Sequence, residues 1–197
     1  MHPLLRSGLR TYATSTTEAS SVEDPSHAEA LRFSDEGTTF LENGQVDKAK
    51  DAYKKSIEVK ETSTALFNLG VCYYHEQDLP NAIKSWEDSL RISPNSSDTH
   101  TNLASAYALS SPSRPDLAVK HLKTAASISP SDPEIQYNLA AVLEAVEQLE
   151  EALIAYKRAF DGGIERASQN IRNVNAKILS ARLLAEANES QTSPSSS

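Results

Sequence analysis

Residues 67–86 read FNLGVCYYHEQDLPNAIKSW. Leu69, Gly70 and Tyr73 fall within one helical turn, and a short polar stretch separates them from Ala82 and Trp86. Side chains three and four apart share a helix face, so the pattern describes two helices folded back on each other. The small Gly70 lets the second helix approach closely, Ala82 takes the facing contact, and Trp86 fills the space beside it. Asn68, directly before the apolar pair, is a mediocre helix former whose amide competes for backbone groups. Its presence calls for an explanation.

The same pattern recurs through the middle of the chain. Ala49, Ala82, Ala118 and Ala152 are spaced by 33, 36 and 34 residues. Four residues after each stands a large side chain (Tyr53, Trp86, Leu122, Tyr156), and three further on a small one (Ser56, Ser89, Ala125, Ala159). Upstream, Gly37 with Phe40, Leu69-Gly70 with Tyr73, Leu103-Ala104 with Tyr107 and Leu139-Ala140 with Leu143 keep the same phase. Pro94 and Pro130, each in Ile-Ser-Pro, punctuate the unit boundaries as helix stops. A single hairpin cannot bury its apolar stripe, whereas a stack of hairpins buries it continuously.

These residues resemble the tetratricopeptide repeat. Residues 63–96 carry the fullest set, with Leu69-Gly70-x-x-Tyr73, Ala82, Trp86 and Pro94 in place. The resemblance covers residues 30–166 in four units, 30–62, 63–96, 97–132 and 133–166. It implies an all-α, right-handed superhelical solenoid of helix-turn-helix units over 28–187. There are departures. Glu36 stands where the family prefers leucine, and Glu61 where it prefers proline; residues 111–115, Ser-Pro-Ser-Arg-Pro, lengthen the turn of the third unit. Gly162-Gly163 reads as a helix C-cap. Beyond it, Ile171, Val174, Ile178 and Ala181 follow helical spacing in a last helix over about 165–187, expected to cover the end of the array. Leu179, Leu183 and Leu184 lie on an adjoining face and offer the alternative of docking a partner.

The register gives Asn68 company: Asn102 and Asn138 hold the same position in the third and fourth units, and Asp35 in the first. In the family this position points into the concave groove, and a row of asparagines there is similar to the ladder that grips an extended peptide backbone. A carboxamide can pair with both N–H and C=O whatever the side chain between them, each bond contributing on the order of 1 kcal/mol. Phe67, Tyr74, His75 and Tyr137 complete the expected peptide-binding groove. The competing reading is that the amides bond to neighbouring helices and set the packing of repeats. The lysine and arginine clamp with which some family members hold acidic chaperone tails is absent: the matching positions are Ser34, Thr38, Asp98 and Asn102, and only Asn68 remains of the set.

Composition narrows the function. With 19 Lys+Arg against 27 Asp+Glu, the chain carries −8, which repels phosphate backbones and opposes nucleic-acid binding. No stretch approaches the roughly eighteen apolar residues of a membrane span. Cys72 is the one cysteine and packs as a small residue; the five histidines have no HxxH or HExxH spacing. No catalytic residue, metal site, cofactor or small-molecule substrate is indicated.

Residues 1–17, MHPLLRSGLRTYATSTT, hold Arg6 and Arg10 and no acid. Leu5, Leu9 and Tyr12 form a helical stripe, the make-up of a mitochondrial transit peptide. Arg10-Thr11-Tyr12-Ala13 resembles the mitochondrial processing site, with cleavage after Tyr12, which would take the charge from −8 to −10. Residues 18–27 read as a linker and 188–197 as a disordered tail. The expectation is a mitochondrial protein-interaction adaptor that binds an extended segment of a partner protein, in the matrix or on the matrix side of the inner membrane, in complex assembly or quality control. The alternatives are a constitutive subunit of a mitochondrial complex, a cytosolic co-chaperone, or an organellar RNA-binding repeat protein.

Overall fold

The computed structural model describes residues 24–192, which contain nine helices and no strand. These are α1 (Pro25–Glu42), α2 (Val46–Val59), α3 (Ser63–His75), α4 (Leu79–Ile92), α5 (Ser97–Leu109), α6 (Pro115–Ile128), α7 (Pro133–Ala145), α8 (Leu149–Asp161) and α9 (Ala167–Thr192). The anticipated transit peptide lies outside the described residues.

Local chemistry sets the helix starts. Asp24, Thr62, Asp78, Ser96 and Asp132 each accept a backbone N–H from the first turn of α1, α3, α4, α5 and α7, satisfying a donor that the helix leaves orphaned. Pro25 and Pro133 follow their capping aspartates directly, where the missing N–H costs nothing. The Asp24–Pro25 start places residues 25–27 inside α1 and not in a linker. At the other end α9 runs five residues past the expected boundary, to Thr192, because Ala185, Glu186 and Ala187 favour helix and Pro194 is the first breaker.

The chain forms two compact units, residues 24–128 and 129–192 of the described part. In the first, α1 packs along α2, α3 along α4 and α5 along α6, with α2 also meeting α3 and α4 meeting α5. The close approach expected at the glycines is present in two hairpins. A Cβ on Gly37 would stand 2.8 Å from Tyr53 Cε1, and one on Gly70 2.6 Å from Trp86 Cδ1. Tyr53 and Trp86 are wholly buried. Each hairpin is also tied by hydrogen bonds: Trp86 Nε1 donates to the Phe67 carbonyl at 3.0 Å, Ser56 Oγ to Ala30 O at 2.7 Å, and Ser89 Oγ to Ser63 O at 2.9 Å. The two serines hold equivalent places, so one bond recurs in successive repeats. In the third hairpin the Arg114 N–H donates to Tyr107 O at 2.9 Å across the longer turn.

In the second unit α8 packs against both α7 and α9 around Ile135, Leu143, Tyr156 and Val174. Gly162 is the C-cap of α8, and Gly163 has φ +101, a conformation that side chains rarely adopt. Of the anticipated α9 stripe, Val174 and Ile178 are buried and Ile171 is half-buried, but Ala181 is exposed. The packed part of α9 ends at Ile178.

Candidate functional site

Helix α3 carries Phe67, Asn68, Tyr74 and His75, and α5 carries Asn102. Asn68 and Asn102 expose no surface, and each has an interaction partner. They are therefore not the solvent-open amides that a waiting ladder would present. Phe67 is buried and its carbonyl is taken by Trp86. Tyr74 is half-buried, its ring centroid 5.7 Å from that of Trp86, and burial pushes its hydroxyl pKa up. His75, in the last turn of α3, is exposed. Beside Phe67 a pocket of about 220 Å³ is lined mainly by hydroxyls, among them Ser63, Ser89 and Thr99, with Asp98 at its edge.

Asn138 and Tyr137 belong to α7 in the second unit. Asn138 is 3 % exposed, and its Nδ2 has no hydrogen-bond partner. A buried donor left unsatisfied costs about 1–3 kcal/mol. Tyr137 lies half-buried next to it, edge-on to Tyr156 at 5.5 Å, with the Arg166 guanidinium 4.3 Å above its ring. Arg166 also pairs with Glu134 at 2.6 Å. Tyr137 Oη donates to Asn170 Oδ1 at 3.4 Å, Asn170 Nδ2 donates to Tyr156 Oη at 3.1 Å, and Tyr156 Oη donates to Glu144 Oε2 at 2.9 Å. Lys177 closes the row on Glu144 at 2.9 Å. Burial, and next the hydrogen bond to Glu144, raise the Tyr156 pKa.

This row between α7 and α9 adds Glu134, Glu144, Arg166, Asn170 and Lys177 to the site, none of which the sequence reading singled out. A signal was there. Tyr137 and Asn170 are 33 residues apart, as are Glu144 and Lys177, and Glu134 and Arg166 are 32 apart. That is one repeat period, which places α9 against α7 as the first helix of a further unit would sit.

Two histidines meet although the sequence holds them far apart: His100 Nδ1 lies 2.8 Å from His121 Nδ1, and Tyr107 stacks on the His121 ring at 5.6 Å. Burial lowers the pKa of both. For His121 it does so to about 4, with the neighbouring His100 and Lys120 adding to it. Cys72 is buried and its thiol is pushed up to about 12, chiefly by desolvation, so it stays protonated and inert at neutral pH. Among the described residues no group of three or more His, Cys, Asp or Glu could hold a metal ion, and no helix is long and apolar enough to cross a membrane.

Comparison with known proteins agrees with this architecture. The sequence profile described as tetratricopeptide repeat matches residues 34–97. The fold is similar to MamA 41-end from Desulfovibrio magneticus RS-1 (TM-score 0.69, 20 % identity), covering 84 % of this chain and 98 % of that one. It is also similar to YrrB, described as a TPR protein with an unusual peptide-binding site (TM-score 0.68, 19 % identity, 78 % and 79 % covered). A third likeness is to the first TPR of Spaghetti (RPAP3) bound to an HSP90 peptide (TM-score 0.58, 17 % identity, 61 % and 95 % covered). No curated protein matches the chain in a sequence search. Residues 34–97 thus match the tetratricopeptide-repeat model, and the fold is that of an all-α helical solenoid with a capping helix.

Proposed function

We propose that this protein holds an extended segment of another polypeptide on the first helices of its hairpins, and that it does so in mitochondria during assembly or quality control of a larger complex. The observation that carries the binding reading is the half-buried Tyr137 ring with the Arg166 guanidinium 4.3 Å above it, beside the enclosed Asn138 amide whose Nδ2 is unpaired. The Arg166–Tyr137 stack offers a flat surface to an apolar or aromatic side chain, and a turn of the Asn138 side chain that brings its Nδ2 to a peptide carbonyl would satisfy that donor. The resemblance to YrrB, a TPR protein with an unusual peptide-binding site, adds weight. Asn68 and Asn102, being enclosed, contribute to the shape of the wall more than to an open ladder.

Proximity labelling in mitochondria, comparing wild type with Asn138→Leu, tests the binding. The expected result is loss of specific partners with an unchanged melting temperature; an unaltered partner set in a folded variant would sink the proposal. The location rests on residues 1–17. Deleting residues 1–12 should leave the protein outside the organelle, and continued import would overturn that part while leaving the binding reading untouched. A constitutive subunit would instead migrate with its complex at all times and be degraded without it.

A further inference from the structure

We propose that two copies of this chain associate through the distal half of α9, which lies in the cleft between α8 and α9 of the other copy. Helices α7 and α8 have 13 residues each, whereas α9 has 26. Its first half, as far as Ile178, packs on α8; every residue from Leu179 to Asn188 is exposed. The distal half is thus as long as one repeat helix, roughly 20 Å, and its residues as far as Asn188 are exposed. Leu179 and Leu183, one turn apart on one face, are each more than half exposed, as is Ile154 on α8. Between the two helices runs a cleft of about 500 Å³ bordered by Glu150, Ile154, Ile178, Leu179 and Arg182.

That cleft is where a second helix would complete the unit that α9 begins, and such a helix must run antiparallel to α9. A two-fold axis across α9 supplies this direction, because it sets α9 of one copy antiparallel to α9 of the other. The spacing of the leucines suits the operation. With the axis level with Ala181, Leu179 of each copy meets Leu183 of the other, and the contact occurs twice. The same register puts Arg182 opposite the second copy's Ser180 and brings it to the cleft that the second copy's Glu150 borders, while no two like charges come to the same level. A second copy therefore supplies apolar length, direction and opposite charge together, and it is the occupant we assign.

Light scattering after size exclusion, on the full chain over a range of micromolar concentrations, decides the matter. The wild type should reach twice the 21.4 kDa of one chain. Leu179→Glu/Leu183→Glu should run at the monomer mass with unchanged helicity and melting temperature, since both side chains are exposed, and Ile154→Glu, on the opposite wall of the cleft, should do the same. A monomeric wild type, including one that instead takes up a helix of another protein, overturns the assignment. So does a dimer that survives these substitutions. A mixture of Leu179→Cys and Leu183→Cys chains should form disulfide-linked pairs faster than either variant alone; fastest linkage in one variant by itself would refute the antiparallel register.

Discussion

Gly70 and Trp86 occupy one volume between them: the indole lies where a Cβ on the glycine would stand, 2.6 Å from Trp86 Cδ1, while its Nε1 is held on the Phe67 carbonyl at 3.0 Å. The indole is wholly buried and fixed at its polar end, so it cannot swing aside to make room. Gly70→Ala therefore overpacks the α3–α4 hairpin, although alanine is the better helix former. The expected loss is about 1–3 kcal/mol in a denaturant titration. Adding Trp86→Phe to Gly70→Ala should cost less than the sum of the two single changes, because the smaller ring removes the clash.

The His100–His121 contact makes the first unit sensitive to mild acid. One ring donates and the other accepts through the facing Nδ1 atoms 2.8 Å apart, which requires at least one neutral histidine, and Lys120 adds a further positive charge. Folding lowers the His121 pKa from its ordinary 6.5 to about 4. Between those values the unfolded chain binds a proton that the folded one refuses, so stability is complete above about pH 6.5 and declines as the pH falls toward 4. Melting temperatures measured from pH 7.5 to 4.5 should fall in the wild type and vary much less in His121→Phe. The Asp24 carboxylate, lowered to about 2 chiefly by its hydrogen bonds from Ser26 and then Lys60, loses its contribution only below its ordinary 3.8 and stays out of this window.

Asn68 and Asn138 should separate by experiment. Asn68 is enclosed and engaged, so replacing it by alanine leaves a buried gap and a partner without a bond, at about 1–3 kcal/mol. Asn138→Leu removes an amide whose Nδ2 has no partner and keeps the branching at Cγ, so the gain offsets the extra bulk of the two methyls and thermal stability should change by less than about 1 kcal/mol. If Asn138→Leu proves as damaging as Asn68→Ala, the amide is serving the fold.

Ser56 and Ser89 offer a quieter test of the repeat logic. Each ties a second helix to the first turn of its hairpin, but the equivalent residues of the later hairpins are Ala125 and Ala159. Ser89→Ala should consequently cost only about 0.5–1.5 kcal/mol by urea melt, the net worth of one hydrogen bond, without opening a cavity.

The hairpins, their period and the residues at their tightest contacts were all legible along the chain. Helical spacing and a period near 34 residues are local properties, and a glycine facing an aromatic across a short turn leaves little freedom in how two helices meet. The helix start at Asp24 is just as local, since a cap is decided within four residues, yet the linker expected to run to residue 27 passed over it. Solvation is not local. Whether Asn68, Asn102 and Asn138 stand open or enclosed depends on what other elements bring against them, and all three are enclosed although their register alone would allow an open ladder. The meeting of His100 with His121 across two helices, the row from Glu134 to Lys177, and the end of the buried stripe of α9 at Ile178 likewise arose from packing between elements. Burial is set by neighbours distant in sequence, which a residue's own type and spacing do not specify.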